Sequence, residues 1–256
     1  MRSFAQAYNF ATMQIAGKKF PRVYVGTSPF IGSSQFGERV FTYHQQFLDN
    51  PKAISAVLVE CIKMGCNAVQ AIAYPVILEA IRLAQHETQT EVFVFASVGV
   101  GDIQTEIASL AEFKPRGVVI HGSYTDKNFA GVQRHLRMAK DRLGNVVTGI
   151  ATHTPGFTLE RALTIPEVEV VWTPYNASGM FMRPSQEMTL EAIESTRKAR
   201  RKIFATKPLA AGTLRPDEAI AYLKGKVDGL AVGLATTTEV RETFEVLRRY
   251  FPHRKR

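Results

Sequence analysis

Eight short apolar runs, each closed by a polar residue, alternate along this chain with segments whose apolar positions recur at helical spacing. The runs are Val23–Gly26, Ala68–Ile72, Val92–Ala96, Gly117–Ile120, Val146–Ala151, Val168–Trp172, Lys202–Ala205 and Gly229–Val232. A strand that is apolar at nearly every position is buried on both faces, which predicts a parallel sheet covered by helices. Eight such units in 256 residues is the number that closes a (β/α)8, or TIM, barrel.

The intervening helices carry end signals as well as period. Asn50 before Pro51 is a capping residue with a first-turn proline, and Ile54, Val57, Leu58 and Cys61 form one apolar face before Gly65. Pro75 opens the next helix, with Ile77, Ala80, Ile81 and Ala84 inward. Phe129, Val132, Leu136, Ala139 and Leu143 trace another face, closed by Gly144. Thr236 with Glu239 three residues on has capping-box spacing, followed by Val240, Phe244 and Leu247.

One interval breaks the rhythm. Residues 27–50 separate the first strand from its helix, where a βα loop usually takes about two to six residues. Phe30, Phe36, Phe41, Tyr43 and Phe47 are more apolar surface than a disordered loop would expose, which predicts an ordered lid over the barrel mouth. A static decoration packed on its own aromatics is the alternative.

Composition is that of one large domain, residues 1–256, with 45% hydrophobic residues and no linker. No apolar stretch reaches the roughly 18 residues of a membrane span, and MRSFAQAYNF lacks the apolar core of a signal peptide, so a soluble, cytoplasmic protein is expected, with no membrane partner. Cys61 and Cys66 fit no zinc spacing and read as packing residues. The net charge of +9 raises the question of an acidic partner. Five of the six residues in RKARRK, 197–202, are basic, but they are expected to end a helix, where cations oppose the macrodipole. The tail HRKR adds charge at a terminus, and no nucleic-acid-binding signature accompanies it. A small-molecule substrate is expected rather than nucleic acid, with the oligomeric state left open.

In such a barrel the reacting groups sit at the carboxyl ends of the strands. The candidates there are Thr27, Ser28, Gln70, Tyr74, Ser97, His121, His153, Tyr175, Asn176, Lys207 and Thr236. His121 reads either as a catalytic group or as a hydrogen-bonded structural one. His121 and His153 end adjacent strands and could share a metal, but no further convincing ligands stand at other strand ends, so a metal is not expected. Lys207 would form a Schiff base if burial lowered its pKa, which would make a lyase or aldolase. Trp172, the only tryptophan, reads as a wall of the mouth.

In order and spacing, several segments resemble the aldo-keto reductases. MQIAGKKFPRVYVGTSPFIG looks like that family's opening hairpin, here within residues 1–22, which plugs the barrel floor before the first strand. GVVIHGSYTD resembles the fourth-strand segment with the family's catalytic histidine, here His121. GIATHTP, VEVVWTPYN, ATKPLAAG and DGLAVGLATTTEVRETFEVL resemble the fifth to eighth strands and the last helix. The resemblance implies nicotinamide-dependent oxidoreduction of a small carbonyl compound.

The catalytic set departs from the family's. The aspartate position reads Gln70, Tyr74 lies one residue early for the tyrosine, and the lysine position reads Ser97; His121 is kept. The family's lysine and aspartate lower the tyrosine pKa, and a phenol near 10 is a poor acid at neutral pH, whereas an imidazole titrates near neutrality unaided. His121, Tyr74 and Lys207 are therefore the catalytic candidates, with Ser28, Gln70, Ser97, His153 and Trp172 in the substrate pocket. For the cofactor, Trp172 replaces a glutamine that contacts the nicotinamide amide, while Tyr175 and Asn176 remain. Gly233 and Glu239 stand where basic residues hold a 2'-phosphate, so NAD or NADP is implied without a preference for NADP. Thr236, Thr237 and Thr238 either receive a phosphate at the helix start or, for Thr236, only cap it. A non-redox enzyme acting on a phosphorylated or carbonyl substrate, and a binding protein that has lost catalysis, are the other readings.

Overall fold

The computed structural model describes residues 1–253; Arg254, Lys255 and Arg256 of the HRKR tail lie outside the described residues. β1 (Thr12–Ile15) and β2 (Lys18–Pro21) form an antiparallel hairpin. The barrel strands are β3 (Val23–Gly26), β4 (Ala68–Ile72), β5 (Phe93–Val98), β6 (Gly117–Ile120), β7 (Val147–Ala151), β8 (Val170–Pro174), β9 (Lys202–Thr206) and β10 (Gly229–Gly233). They close in the order β10-β3-β4-β5-β6-β7-β8-β9 with every neighbour parallel. The last strand meets the first with Leu230 opposite Val23 and Val232 opposite Val25.

All eight predicted strands are present, and the ends shift by at most two residues. The strand expected at Val168–Trp172 runs instead over Val170–Pro174, because Thr173 and Pro174 stay in register with Ala205 and Thr206 of β9. Pairing partners, which hydropathy does not reveal, set that boundary.

The helices are α1 (Phe4–Ala7), α2 (Arg39–Phe47), α3 (Pro51–Lys63), α4 (Pro75–Thr88), α5 (Ile103–Ser109), α6 (Gly122–Thr125), α7 (Val132–Leu143), α8 (Pro155–Ala162), α9 (Gln186–Lys198), α10 (Pro216–Leu223) and α11 (Thr237–Tyr250). The caps are made as the sequence predicts. Asn50 accepts from the Ala53 N–H at 3.2 Å, and Thr236 and Glu239 form a complete capping box. Phe129 belongs to a short 3-10 turn before α7 rather than to α7 itself. RKARRK does not simply end a helix: Arg197 and Lys198 finish α9, whereas Lys202 opens β9 and pairs with Asp228.

Aromatic side chains fill the barrel. Trp172 stacks on Phe204 with centroids 4.3 Å apart, and Tyr24 and Phe95 meet the indole edge-on. Phe20 of the hairpin enters from below, 5.3 Å from Phe93 and 5.8 Å from Phe95, so the hairpin does plug the floor. Gly117 and Gly229 make room for these rings: a Cβ at either would run into Phe95 or Phe204. Cys61 and Cys66 are buried free thiols, and burial pushes Cys66 up to about 12, which suits a packing role. Among the described residues no helix is long and apolar enough to cross a membrane.

The interval 27–50 is ordered: two 3-10 turns, Ser28–Ile31 and Ser34–Phe36, lead into α2. Phe30, Tyr43 and Phe47 are buried together, whereas Phe41 is exposed. Gln46 donates to the Ala235 carbonyl at 3.2 Å, and the Arg39 guanidinium bonds the Ala211 carbonyl, tying the segment to loops after β10 and β9.

Candidate active site

The carboxyl ends of the strands open into a cavity of about 1200 Å³, walled on one side by Ser28, Ile31, Phe36, Arg39 and Tyr43 of the long segment. Thr27 takes no part in the lining. Its hydroxyl donates to the Gln70 carbonyl and accepts from the Ile72 N–H, both at 3.1 Å, pinning β3 to β4. Gln70, Ser97 and Trp172 line the cavity from deep in the barrel. Trp172 is a floor rather than a wall, being fully buried. The Ser97 hydroxyl and the Trp172 Nε1–H are buried with no partner among the described residues.

His121 follows β6 and caps α6. Its Nδ1 accepts from the Ser123 N–H at 3.2 Å, which places the ring proton of the neutral imidazole on Nε2. The next residue is Gly122, and a Cβ there would strike the His153 ring, so the glycine lets the second histidine approach. The two rings meet edge to face with centroids 5.3 Å apart. Burial foremost, then His153 and Lys207, push His121 down to about 4. The expectation that this imidazole titrates near neutrality is therefore corrected: at neutral pH it is an uncharged hydrogen-bond donor.

Asp126, at the end of α6, holds the second histidine. Its carboxylate accepts from the Thr152 hydroxyl at 2.6 Å, the His153 N–H at 2.7 Å and the Thr158 hydroxyl at 2.9 Å, with His153 Nδ1 at 3.7 Å. His153 is also lowered to about 4, by burial first and by Lys207 next, against the raising effect of Asp126. Among the described residues no group of three or more His, Cys, Asp or Glu is placed to hold a metal.

Lys207 follows β9 in a left-handed conformation, φ 52°, with Pro208 after it. Asn176 donates to its carbonyl at 3.3 Å and to the Met180 carbonyl at 2.9 Å, so Asn176 braces this turn from behind. The ammonium lies 4.9 Å from the centre of the Phe181 ring, and no carboxylate of the described residues pairs with it. Burial, and then the like charge of Arg183, bring it down to about 8. Tyr74, which also lines the cavity, moves the opposite way: burial and then Glu106 raise its phenol.

The residues nominated for a cofactor fall elsewhere. Tyr175 is buried against Tyr222, centroids 6.0 Å apart, and neither it nor Asn176 lines the cavity. Thr236 caps α11, and Thr237 and Thr238 are exposed outside the lining. Glu239, whose carboxylate accepts from Ala235 and Thr236 N–H, does line the cavity, and so does Glu242. Asp126, Arg183 and Glu242 were not anticipated. Asp126 stands in the same short segment as His121, a signal that was available; Arg183 and Glu242 reach the mouth through a loop and a helix face that carry no motif.

The fold defines a class. Solved structures of aldo-keto reductases share it over nine-tenths or more of the chain. A Pseudomonas aeruginosa protein assigned to the aldo-keto reductases superposes with TM-score 0.67 at 16% identity, covering 93% of this chain and 95% of its own. The holo form of an aldo-keto reductase from Bacillus halodurans gives 0.61 at 12% identity, with 93% and 90% covered. The glycerol dehydrogenase of Gluconobacter oxydans gives 0.62 at 14% identity, with 96% and 98% covered. No protein-family model and no curated protein matches the sequence. At these identities the likeness is one of fold: an aldo-keto-reductase-type barrel with its own set of residues at the mouth.

Proposed function

We propose that this protein is a nicotinamide-dependent oxidoreductase acting on a small aldehyde or ketone, with His121 and Lys207 doing the work that the family assigns to its tyrosine and lysine. The observation that carries the reading is the fixed tautomer of His121. With Nδ1 committed to Ser123, Nε2–H is the donor available to a carbonyl oxygen, and a neutral imidazole can polarise a carbonyl without transferring its proton.

The residues suit NAD better than its phosphorylated form. The Trp172 Nε1–H is a buried donor without an acceptor among the described residues, and a carboxamide oxygen that reached the floor would supply one. Glu242, unpaired among the described residues, can accept from ribose hydroxyls, while the carboxylates of Glu239 and Glu242 would repel a 2'-phosphate. Bound there, the cofactor supplies or accepts the hydride. His121 Nε2–H would hold the carbonyl oxygen as negative charge grows on it. The alkoxide then needs a proton, and an ammonium at about 8 is a stronger acid than the raised phenol of Tyr74, so Lys207 would donate it.

NADH binding, followed through Trp172 emission, and NADH oxidation across a panel of small aldehydes and ketones test the reading. Absence of NADH binding at millimolar concentration would remove it and leave the barrel to non-redox chemistry.

A further inference from the structure

We propose that Lys207 is also a nucleophile, and that its amine condenses with an aldehyde or ketone in the cavity to form a Schiff base, giving this site a second, non-redox chemistry. The inference goes beyond the oxidoreductase reading and does not need the nicotinamide.

The geometry comes first. Lys207 leaves β9 at the barrel mouth, in a left-handed turn that a non-glycine residue adopts only at a cost, and Asn176 fixes that turn through the Lys207 carbonyl. The side chain runs past Phe181 into the cavity that His121, His153 and Asp126 also line. Other lysines have partners that Lys207 lacks. Lys202 pairs with Asp228, Lys140 pairs with Glu169, and Lys18 bonds the Asn145 carbonyl, whereas no carboxylate of the described residues meets the Lys207 ammonium. The charged and titratable groups facing Lys207 are Arg183 from the loop after β8, Asp126 from the end of α6, and the two histidines after β6 and β7. The histidines are uncharged at neutral pH, so Asp126 alone opposes the push from Arg183 and from burial. With the ammonium at about 8, roughly a tenth of the side chains carry the free amine at pH 7, roughly two hundred times more than for an ordinary surface lysine.

The step balances without an oxidant or reductant. The Nζ lone pair adds to the carbonyl carbon, the C=O π pair moves to oxygen, and a proton passes from nitrogen to that oxygen to give the carbinolamine. The hydroxyl, protonated, leaves as water while the nitrogen lone pair forms the C=N⁺ bond. The net change is one carbonyl and one ammonium to one iminium and one water. Asp126 stands in the cavity to offset the iminium charge, as it does that of the ammonium.

The test uses the full-length protein without nicotinamide, with pyruvate or glycolaldehyde as probe and cyanoborohydride to reduce any iminium, read by intact mass and peptide mapping. At pH 7 we expect one adduct per chain, at Lys207, formed about tenfold or more faster than at any other lysine. The rate should level off above about pH 8. Lys207→Arg should abolish the adduct. Arg183→Gln should slow labelling at pH 7 by raising the lysine pKa, and should shift the profile to higher pH. Labelling spread evenly over the lysines, or a Lys207 profile still rising toward pH 10.5, would overturn the inference. Should Lys207→Arg fail to fold, the map on the unaltered protein and the Arg183→Gln profile still decide. Failure of the trap leaves NADH binding untouched, and failure of NADH binding leaves the trap untouched, so the two readings fall separately.

Discussion

The imidazoles of His121 and His153 meet edge to face, 5.3 Å between centroids, across the ends of β6 and β7, and each is held uncharged. For His121 the folded value is about 4 against an ordinary 6.5, so between these limits the unfolded chain binds more protons than the folded one. The stability tied to the neutral ring is therefore fully present above about pH 6.5 and is lost as the pH falls toward 4. His153 keeps 44% of its side chain exposed, and solvent screening makes its share the smaller. We expect Tm to fall steadily from pH 7 to pH 4.5 and the fall to be shallower in His121→Asn. Parallel Tm-against-pH curves for the two proteins would contradict the half-buried, neutral imidazole.

His121→Ala should cost more activity than Tyr74→Phe. Loss of the Nε2–H donor should lower kcat/KM by about 100-fold or more, whereas loss of the raised phenol should cost less than about tenfold. The measurement is steady-state kinetics on both variants at matched folding. A collapse in Tyr74→Phe with a mild effect in His121→Ala would mean that a cation activates the phenol, and would restore the tyrosine to its family role.

On the proposed function, NADPH should bind no better than NADH, because Glu239 and Glu242 both line the cavity and their carboxylates would repel a 2'-phosphate brought beside them. Titration of both through Trp172 emission gives the ratio. A preference for NADPH beyond about tenfold, or 1.4 kcal/mol, would refute that reading. Glu242→Arg should move the ratio toward NADPH.

Thr236 offers a clean separation of cap from ligand contact. Its hydroxyl accepts from the Glu239 N–H at 3.1 Å as half of a capping box. Thr236→Ala should cost about 1 kcal/mol in urea unfolding and leave the NADH affinity unchanged. A variant of unaltered stability that binds NADH more weakly would reverse the assignment.

The segment 27–50 is tied down at both ends of α2, by Arg39 on Ala211 and Gln46 on Ala235, yet it walls the cavity. If it works as a lid, saturating NADH should slow limited proteolysis around the exposed Phe41, and Arg39→Ala should speed cleavage in the free protein. Equal cleavage with and without ligand would make it a fixed wall.

By itself the sequence determined the barrel. Continuous apolar runs such as Val23–Gly26 and Gly117–Ile120 can be satisfied only where both faces are covered, and local signals at Asn50, Pro51, Thr236 and Glu239 are read within a few residues of where they act. It also placed His121, His153 and Lys207 at strand ends, since chain position along a barrel strand is position along the axis. Their protonation was another matter. The fall of His121 to about 4 comes from burial, from His153 on the next strand and from Lys207, which arrives from β9, three strands further round the barrel. Tyr175 and Asn176 show the same division: the chain puts them after β8, but the packing of Tyr222 and the bonds to Met180 and Lys207 turn them away from the cavity. Hydropathy is summed along the chain and survives in the sequence, whereas electrostatic fields and side-chain directions are sums over neighbours in space, and only the closed barrel brings those neighbours together.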